Sequence, residues 1–187
     1  MPKTVYLIRH GQTEANAANN YSDNSKLHYD TVLTKLGREQ ALKAKKKLEN
    51  IDFDLTVCSP LTRTLHTFSL IFPQYISKSI VLPLIRERLE HSSDVGRQPK
   101  YLMREFPKFD FSKINNYWWN DDLPIDEKEV YLESIKDLDL RVSNFINWIR
   151  NREEQNIAVV SHGTYISRIT NIFLDNCEFN IWHPDNG

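Results

Sequence analysis

Short apolar segments alternate with helical segments along most of this sequence, and this alternation restricts the fold more than any other feature. Four segments have the length and residue types of strands: Thr4–Arg9, Asp54–Cys58, Ser79–Leu84 and Asn156–Val160. Helices are predicted from about Thr34 to Asn50, Thr62 to Phe72, Lys128 to Glu154, and Thr164 to Leu174. Strands that alternate with helices need crossover connections, which favour a largely parallel sheet covered on both faces. We therefore expect an α/β fold.

The length and composition exclude several classes of protein. A chain of 187 residues predicts one domain spanning 1–187, and a net charge of −1 argues against a dedicated nucleic-acid binder. No apolar run approaches the roughly 20 residues that span a bilayer, and the N-terminus lacks signal-peptide features, so we expect no membrane association. The two cysteines, Cys58 and Cys177, lack metal-ligand spacing and suit a reducing cytoplasm. Neither a GxGxxG nor a Walker-type loop occurs, so we expect no cofactor.

The segment 88–127 has little periodicity and is predicted to be an elaborated excursion over the sheet that faces the substrate. Its aromatic pair, Trp118–Trp119, either closes a core or touches a substrate. Basic residues in and just before this segment either form a solvated face or recognise a second anionic group: Arg86, Arg88, Arg97, Lys100 and Arg104. Neither the substrate nor the oligomeric state follows from these patterns.

Polar residues follow each predicted strand, and we expect them to share one edge of the sheet, because ligands of open α/β sheets bind outside the carboxyl ends of the strands. With the glycines and the proline among them, the residues at the strand ends are, in chain order, Arg9, His10, Gly11 and Asn16, then Ser59, Pro60 and Arg63, then Arg86, Glu87 and Arg88, and finally Ser161, His162 and Gly163. Two of the five glycines directly follow a histidine. A glycine at such a turn lets the backbone approach a ligand closely, and the helix beyond it offers free amides to an anion.

These residue types fit phosphoryl transfer. Arginines bind the oxygens of a phosphoryl group in pairs, and a neutral imidazole is a nucleophile that can form a covalent intermediate. A second histidine, if protonated, holds developing charge, while a carboxylate protonates the leaving oxygen and then assists a water. The arginines supply positive charge, and the remaining histidines lack metal spacing, so we expect no metal: His28, His66, His91 and His183.

Four motifs, VYLIRHGQTEAN, LTKLGREQA, SPLTRTLHT and VVSHGTYISRI, resemble the histidine phosphatase superfamily, also called phosphoglycerate mutase-like, from Val5 to about Ile169. The resemblance implies a three-layer α/β/α sandwich around a mainly parallel sheet, and a metal-independent enzyme. It implies that His10 is the phosphorylated nucleophile and Glu87 the proton donor. The phosphate pocket that it implies consists of Arg9, Asn16, Arg63, His162 and Gly163.

The segment RHGQTEAN is more similar to phosphatase-type members than to glycolytic mutases, which typically carry Glu-Ser after the glycine. We therefore expect a phosphomonoester hydrolase that acts through His10 on a small-molecule or peptide substrate. A mutase-type phosphotransferase and a catalytically silent phospho-ligand binding module remain alternatives. The segment RERLEHSSDVGRQPKYL stands where the family often has a Trp-Glu-Gly stretch, and this departure leaves the identity of the substrate open. Glu90 and Asp94 lie close enough to Glu87 in the sequence to be rival proton donors.

Three smaller expectations complete the interpretation. The Ser161 hydroxyl could orient His162, and His28 or His66 could line the mouth of the pocket. A cationic His162 together with the arginines is expected to lower the pKa of His10, which with a raised pKa of Glu87 predicts an optimum on the acidic side of neutrality.

Overall fold

The computed structural model describes residues 2–18, 29–120 and 132–185. Five strands in these ranges form one sheet: β1 (Thr4–Arg9), β2 (Leu55–Cys58), β3 (Ile80–Val81), β4 (Asn156–Ser161) and β5 (Phe179–Trp182). The same ranges contain six α-helices: α1 (Glu14–Ala17), α2 (Lys35–Leu48), α3 (Thr62–Ile71), α4 (Pro99–Glu105), α5 (Ile135–Arg150) and α6 (Gly163–Thr170). Within these ranges no helix has the length and apolar character needed to cross a membrane.

The strand order is β3-β2-β4-β1-β5, in which the first four strands run parallel and β5 runs antiparallel to β1. Apolar side chains of α2 and α3 pack on one face of the sheet, and those of α5 and α6 pack on the other. This confirms the expected three-layer α/β/α sandwich around a mainly parallel sheet. The register aligns Arg9 with Ser161 and Cys58 with Val160, so that the carboxyl ends of β1, β2 and β4 lie side by side.

The helices bury the faces that their sequence patterns indicate. In α5, Leu138, Val142, Phe145 and Ile149 recur at helical spacing and are at most 4% exposed. Burial of each such side chain contributes about 1.5–3 kcal/mol. The lysine-rich face of α2 is largely solvated, as expected.

Three predicted elements are shorter than expected, each for a local reason. The third strand ends at Val81 because Pro83, which has no N–H group for a sheet, opens a 3₁₀ turn. The helix expected over 128–154 is α5, which begins after its N-cap Ser134 and ends at Arg150; residues 128–131 lie outside the described ranges. The last helix ends at Thr170 because Asn171 is left-handed, with φ of 58°.

One strand, β5, was not predicted. Its four residues, FNIW, form a short antiparallel edge strand beside β1. The alternation of apolar and polar residues in this segment is a strand signal, but four residues are too few to distinguish it from a loop.

The excursion contains α4 and is more ordered than its sequence indicates, although its residues 121–127 lie outside the described ranges. Trp118 and Trp119 are 3% and 5% exposed, so the core interpretation of this pair is the one that holds. Two of the basic residues are also structural: buried Arg86 pairs with Glu133, and Arg97 pairs with Asp30. Arg86 is therefore not part of a solvated face, whereas the Arg97 side chain is ion-paired but still 34% exposed.

Candidate active site

The carboxyl ends of β1, β2 and β4 meet at a cavity of about 120 Å³. The His10 amide donates to the Ser161 carbonyl, and the Ser59 amide donates to the Val160 carbonyl, so that the turns after these strands stay in register beyond the sheet. The cavity is lined by residues from several segments: Arg9, His10, Thr13, Ala15, Asn16, Thr31, Arg63, Glu87, Arg88, Glu90, His91, Ser93, Asp94, Thr164 and Phe173. Strand ends thus deliver the polar residues to one place.

His10 directly follows β1 and is 4% exposed. Its Nδ1 lies 2.8 Å from the Gly11 carbonyl oxygen, which only accepts hydrogen bonds, so Nδ1 carries the proton. Nε2 is then the nitrogen with the lone pair. Burial, reinforced by the charge of Arg63, lowers the pKa of His10 well below its ordinary value and keeps the ring neutral. A neutral imidazole with one nitrogen held and a lone pair on the other has the form that a nucleophile needs.

Two glycines allow α2 to pack against the turn that follows His10. A Cβ on Gly11 would lie 2.5 Å from the Gly37 carbonyl oxygen, and a Cβ on Gly37 would lie 2.1 Å from the Gln12 carbonyl oxygen. Thr34 caps α2 by accepting from the Gly37 amide, and its hydroxyl contacts the Gln12 side chain. The segment LTKLG therefore holds the turn after His10 in place.

His162 is fully buried after β4, with its ring centroid 5.3 Å from that of His10. Its Nδ1 accepts from Arg63 Nε at 3.3 Å, and its Nε2 lies 2.8 Å from the Ser59 hydroxyl. A nitrogen that accepts carries no proton, so the proton is on Nε2 and the ring is neutral. Burial, then the charge of Arg63, lowers the pKa of His162 well below its ordinary value. The expectation of a cationic His162 is therefore wrong for the protein without a ligand.

The sequence left open that the Ser161 hydroxyl orients His162, but in the structure this hydroxyl has another partner. It donates instead to the Ile85 carbonyl at 2.8 Å, which ties β4 to the segment that leads into Glu87. The hydroxyl of Ser59 contacts His162. The sequence does not indicate which of the two serines contacts His162, because each lies between a predicted strand and a predicted helix.

Arg63 lies in the first turn of α3 and is 3% exposed. Its guanidinium donates to His162 Nδ1, to the Ser93 carbonyl at 2.6 Å and to Asp94 Oδ1 at 2.9 Å. A guanidinium has five N–H groups, so these three contacts leave one on each terminal nitrogen.

Arg9 reaches the same cavity from the end of β1. Its Nη1 donates to the Leu174 carbonyl at 2.7 Å, and its guanidinium carbon lies 4.8 Å from the centroid of the Phe173 ring. A Cβ on Gly163 would lie 2.8 Å from that ring and 3.1 Å from Arg9 Nε. Glycine after the second histidine therefore leaves room for the arginine and its aromatic neighbour.

Glu87 lies against the N-terminus of α6. Its Oε1 accepts from the amides of Arg88 and Tyr165, and its Oε2 accepts from the amide of Thr164 at 3.2 Å. Burial is the main cause that raises the pKa of Glu87 above its ordinary value, and the charge of Asp94 adds to it. A carboxyl with a raised pKa beside a neutral imidazole is the combination that acid–base chemistry needs.

The two rival carboxylates also line the cavity but have other partners. Asp94 pairs with Arg63, and Glu90 pairs with Arg88 at 3.1 Å. Asn16 lines the cavity from α1, where its side chain and that of Thr13 form a reciprocal capping box.

Of the other histidines, His91 lines the cavity, whereas His66 lies outside it. His66 is 3.4 Å from a Glu105 oxygen and packs on Phe106. His28 lies outside the described residues. Among the residues that are described, no group of three or more His, Cys, Asp or Glu side chains could hold a metal ion.

A larger cavity of about 470 Å³ lies beside α5. Its buried charges are already paired, since Arg141 binds Glu133 through two nitrogens and Arg86 approaches the same carboxylate. Its lining contains neither a histidine nor a cysteine. The chemistry therefore points to the smaller cavity.

Comparisons with known proteins identify the family to which this sequence is similar. A family model described as "Histidine phosphatase superfamily (branch 1)" matches residues 5–186. Phosphoglycerate mutase-like protein 1 of Arabidopsis thaliana is 29% identical, over 98% of this chain and 74% of that protein. The adenosylcobalamin/alpha-ribazole phosphatase of Escherichia coli (strain K12) is 28% identical, over 96% of this chain and 83% of that protein.

Solved structures show the same fold. The crystal structure of the alpha-ribazole phosphatase from Shigella flexneri superposes with a TM-score of 0.65 and 27% identity, over 95% of this chain and 89% of that one. The family model covers nearly the whole sequence. This chain therefore belongs to branch 1 of the histidine phosphatase superfamily.

Proposed function

We propose that this protein hydrolyses phosphomonoesters through a phosphohistidine on His10. The observation that carries the proposal is the environment of this ring: Nδ1 is held by the Gly11 carbonyl, and the ring lines a small cavity together with Arg9, Arg63 and Glu87. That set contains a nucleophile, anion-binding groups and a proton donor.

Arg9 and Arg63 bind the phosphoryl group in this proposal. Arg63 offers the N–H groups that remain on its two terminal nitrogens, and Asn16 borders the same space. A bound phosphate dianion raises the pKa of His162, since opposite charge favours the protonated ring. His162 then acquires the charge that it lacks without a ligand and stabilises the equatorial oxygens.

In the first step, the lone pair of His10 Nε2 attacks phosphorus, the N–P bond forms and the P–O bond to the leaving group breaks. Glu87 transfers its proton to the departing oxygen. In the second step, water attacks the phosphohistidine, the N–P bond breaks and the Glu87 carboxylate takes the proton of the water. Inorganic phosphate leaves, and both residues return to their starting states.

Of the two carboxyl oxygens of Glu87, Oε2 is the better carrier of the proton. It accepts from one amide, whereas Oε1 accepts from two, which favour negative charge there. Helix α6 thus holds the carboxyl in place without preventing its protonation.

Metal independence is part of the proposal, because the two arginines supply the positive charge; activity is expected to survive EDTA unchanged. The related proteins whose names state a substrate act on small phosphorylated molecules, and we propose a small-molecule or peptide phosphomonoester for this chain. The cytoplasmic location stays a prediction from cysteine usage.

Trapping the intermediate tests the mechanism. Wild-type protein quenched during turnover of a phosphomonoester is expected to carry acid-labile phosphate on His10, and His10→Ala is expected to carry none. His183→Ala is the matched control, since that histidine contacts the Lys3 carbonyl away from the cavity. Labelling of the His10→Ala protein would contradict the mechanism. A labelled enzyme that returns its phosphate to another hydroxyl rather than to water would support the mutase alternative.

A further inference from the structure

The segment that replaces the family's Trp-Glu-Gly stretch brings a buried carboxylate to the phosphate pocket. Asp94 is 7% exposed and follows the N-cap His91 of a short 3₁₀ turn. Its Oδ2 accepts from the His91 amide at 3.0 Å, which fixes the carboxylate to its own turn. Its Oδ1 lies 2.9 Å from Arg63 Nη2.

Arg63 is held at three points by two different elements. Asp94 and the Ser93 carbonyl bind its terminal nitrogens, while His162 Nδ1 accepts from Nε on the opposite side of the guanidinium. A planar group with contacts on all three nitrogens has a defined orientation. The N–H groups that remain on the terminal nitrogens therefore have defined directions.

The same segment also binds Thr62, the residue before Arg63. Arg97 binds Asp30, and both contact the hydroxyl of Thr62, whose amide donates to Asp30. Thr62 and Arg63, the first two residues of α3, are thus bound by Arg97 and Asp94, which lie three positions apart in the sequence. Leu61, the N-cap of α3, makes no side-chain cap hydrogen bond, so this external anchor stabilises the first turn.

We propose that Asp94 is a positioning residue, whose carboxylate fixes the Arg63 guanidinium in the orientation that binds the phosphoryl group. This inference rests on the proposed function of the site. Asp94 is not the proton donor in this arrangement, because its Oδ1 binds the guanidinium of Arg63, whereas the oxygens of Glu87 accept from neutral amides.

Asp94 has a second, electrostatic effect on the site. Asp94 and Arg63 are the charged groups with a named effect on the pKa of Glu87, and the amides of α6 contact the carboxyl directly. Arg9, Arg88, Glu90, His91 and neutral His10 line the same cavity. Asp94 raises the pKa of Glu87, whereas Arg63 and the amides lower it. Removal of the Asp94 charge therefore lowers the pKa of Glu87.

Asp94→Asn tests the proposal, with Asp139→Asn as the matched control, since that exposed carboxylate pairs with Arg168 on the surface. The expected result is vanadate binding at least about tenfold weaker in Asp94→Asn, from the loss of a charge-assisted contact, and unchanged in Asp139→Asn. In an Arg63→Ala background, Asp94→Asn is expected to add no further loss. Equal vanadate affinity in wild type and Asp94→Asn, or fully additive losses, would overturn the proposal.

The pH profile separates positioning from a general loss of stability. Glu87 must be protonated to act, so a lowered pKa moves the alkaline limb of kcat/KM to lower pH for an alkyl phosphate. A nitrophenyl phosphate, whose leaving group needs no proton, is expected to show a smaller shift. An alkaline limb that stays in place for the alkyl phosphate would contradict the electrostatic effect.

If Asp94→Asn does not fold, Asp94→Glu provides the second comparison. It keeps the charge but moves it by one methylene, so we expect weaker vanadate binding with an alkaline limb close to that of wild type. Wild-type vanadate affinity in this variant would overturn the positioning role. Vanadate binding needs no turnover, so its outcome remains distinct from a failure of the proposed hydrolysis.

Discussion

The dipeptide His-Gly occurs at the ends of two neighbouring parallel strands, yet the two histidines have different surroundings. Among the described residues the ring of His10 makes one hydrogen bond, to the carbonyl of the next residue, and it lines the cavity. His162 is fully buried, and both of its nitrogens contact side chains distant in sequence, Arg63 and Ser59. Both rings are kept neutral, but only His10 has a nitrogen without a partner among the described residues.

The comparison shows that residue type and position at a strand end do not by themselves determine the chemical role of a histidine. The role depends on which nitrogen the surroundings occupy. A ring held at one nitrogen can act as a nucleophile with the other, whereas a ring held at both orients its neighbours until a ligand displaces a contact. We therefore expect the two histidines to fail differently when replaced.

The largest expected effect is on turnover. His10→Ala is expected to lower kcat by at least about 10⁴-fold and to keep vanadate binding within a few-fold, because the arginines stay in place. His162→Ala is expected to weaken vanadate binding as well, by about tenfold or more, because Arg63 loses one of its anchors. It is also expected to lower the Tm more than His10→Ala does.

Kinetics, vanadate titration and thermal melts of the two variants check this contrast, with His183→Ala as the common control. Equal losses of turnover and of affinity in both variants would mean that the histidines act as one unit. Residual turnover in His10→Ala comparable to wild type would reverse the assignment of the nucleophile.

The next effect concerns pH. His10 must be neutral to attack, so a pKa below the usual value of about 6.5 places the acid limb of kcat/KM below that pH. Glu87 must be protonated, so its raised pKa moves the alkaline limb above the ordinary carboxyl range. We expect a bell-shaped profile with its optimum at roughly pH 5–7. The acid limb is expected to persist in His162→Ala at lower amplitude, and its disappearance would assign the limb to His162.

The smallest effect is expected from Ser59→Ala, which removes the contact to His162 Nε2 and leaves the surroundings of His10 intact. The lost hydrogen bond corresponds to about 0.5–1.5 kcal/mol, or a few-fold to about tenfold in vanadate affinity. Ser69→Ala in the same helix region is the control, because that hydroxyl only bonds the carbonyl four residues earlier. Unchanged vanadate affinity in Ser59→Ala would show that Arg63 alone orients His162.

The alternation of strands and helices was sufficient to predict the sheet and its two covering layers. The rule that ligands bind at strand ends, together with the family resemblance, was sufficient to predict that His10, Arg63, Glu87 and His162 lie close to one another. These predictions succeeded because the backbone of a parallel sheet fixes where strand ends lie. Short β5 was missed, because its four residues give a weak pattern.

The contacts that distinguish the residues of the site could not be predicted. Asp94, Ser59 and Asp30 act through partners more than 30 positions away, and such pairs leave no local pattern in one sequence. The expected charge on His162 was wrong because residue type does not indicate burial. Thr67, which accepts from the Gly11 amide, was missed for the same reason.

The position of β1 in the sheet has a consequence for the order of folding. In the described chain this strand pairs only with β4, about 150 residues later, and with β5, more than 170 residues later. Its Val5, Leu7 and Ile8 are fully buried. During synthesis on the ribosome these side chains have no strand partners until β4 and β5 have emerged. Contacts of such long sequence separation slow folding and expose apolar surface to aggregation. His10, which directly follows β1, therefore reaches its final surroundings only after the segment that carries β4 and β5 has been synthesised.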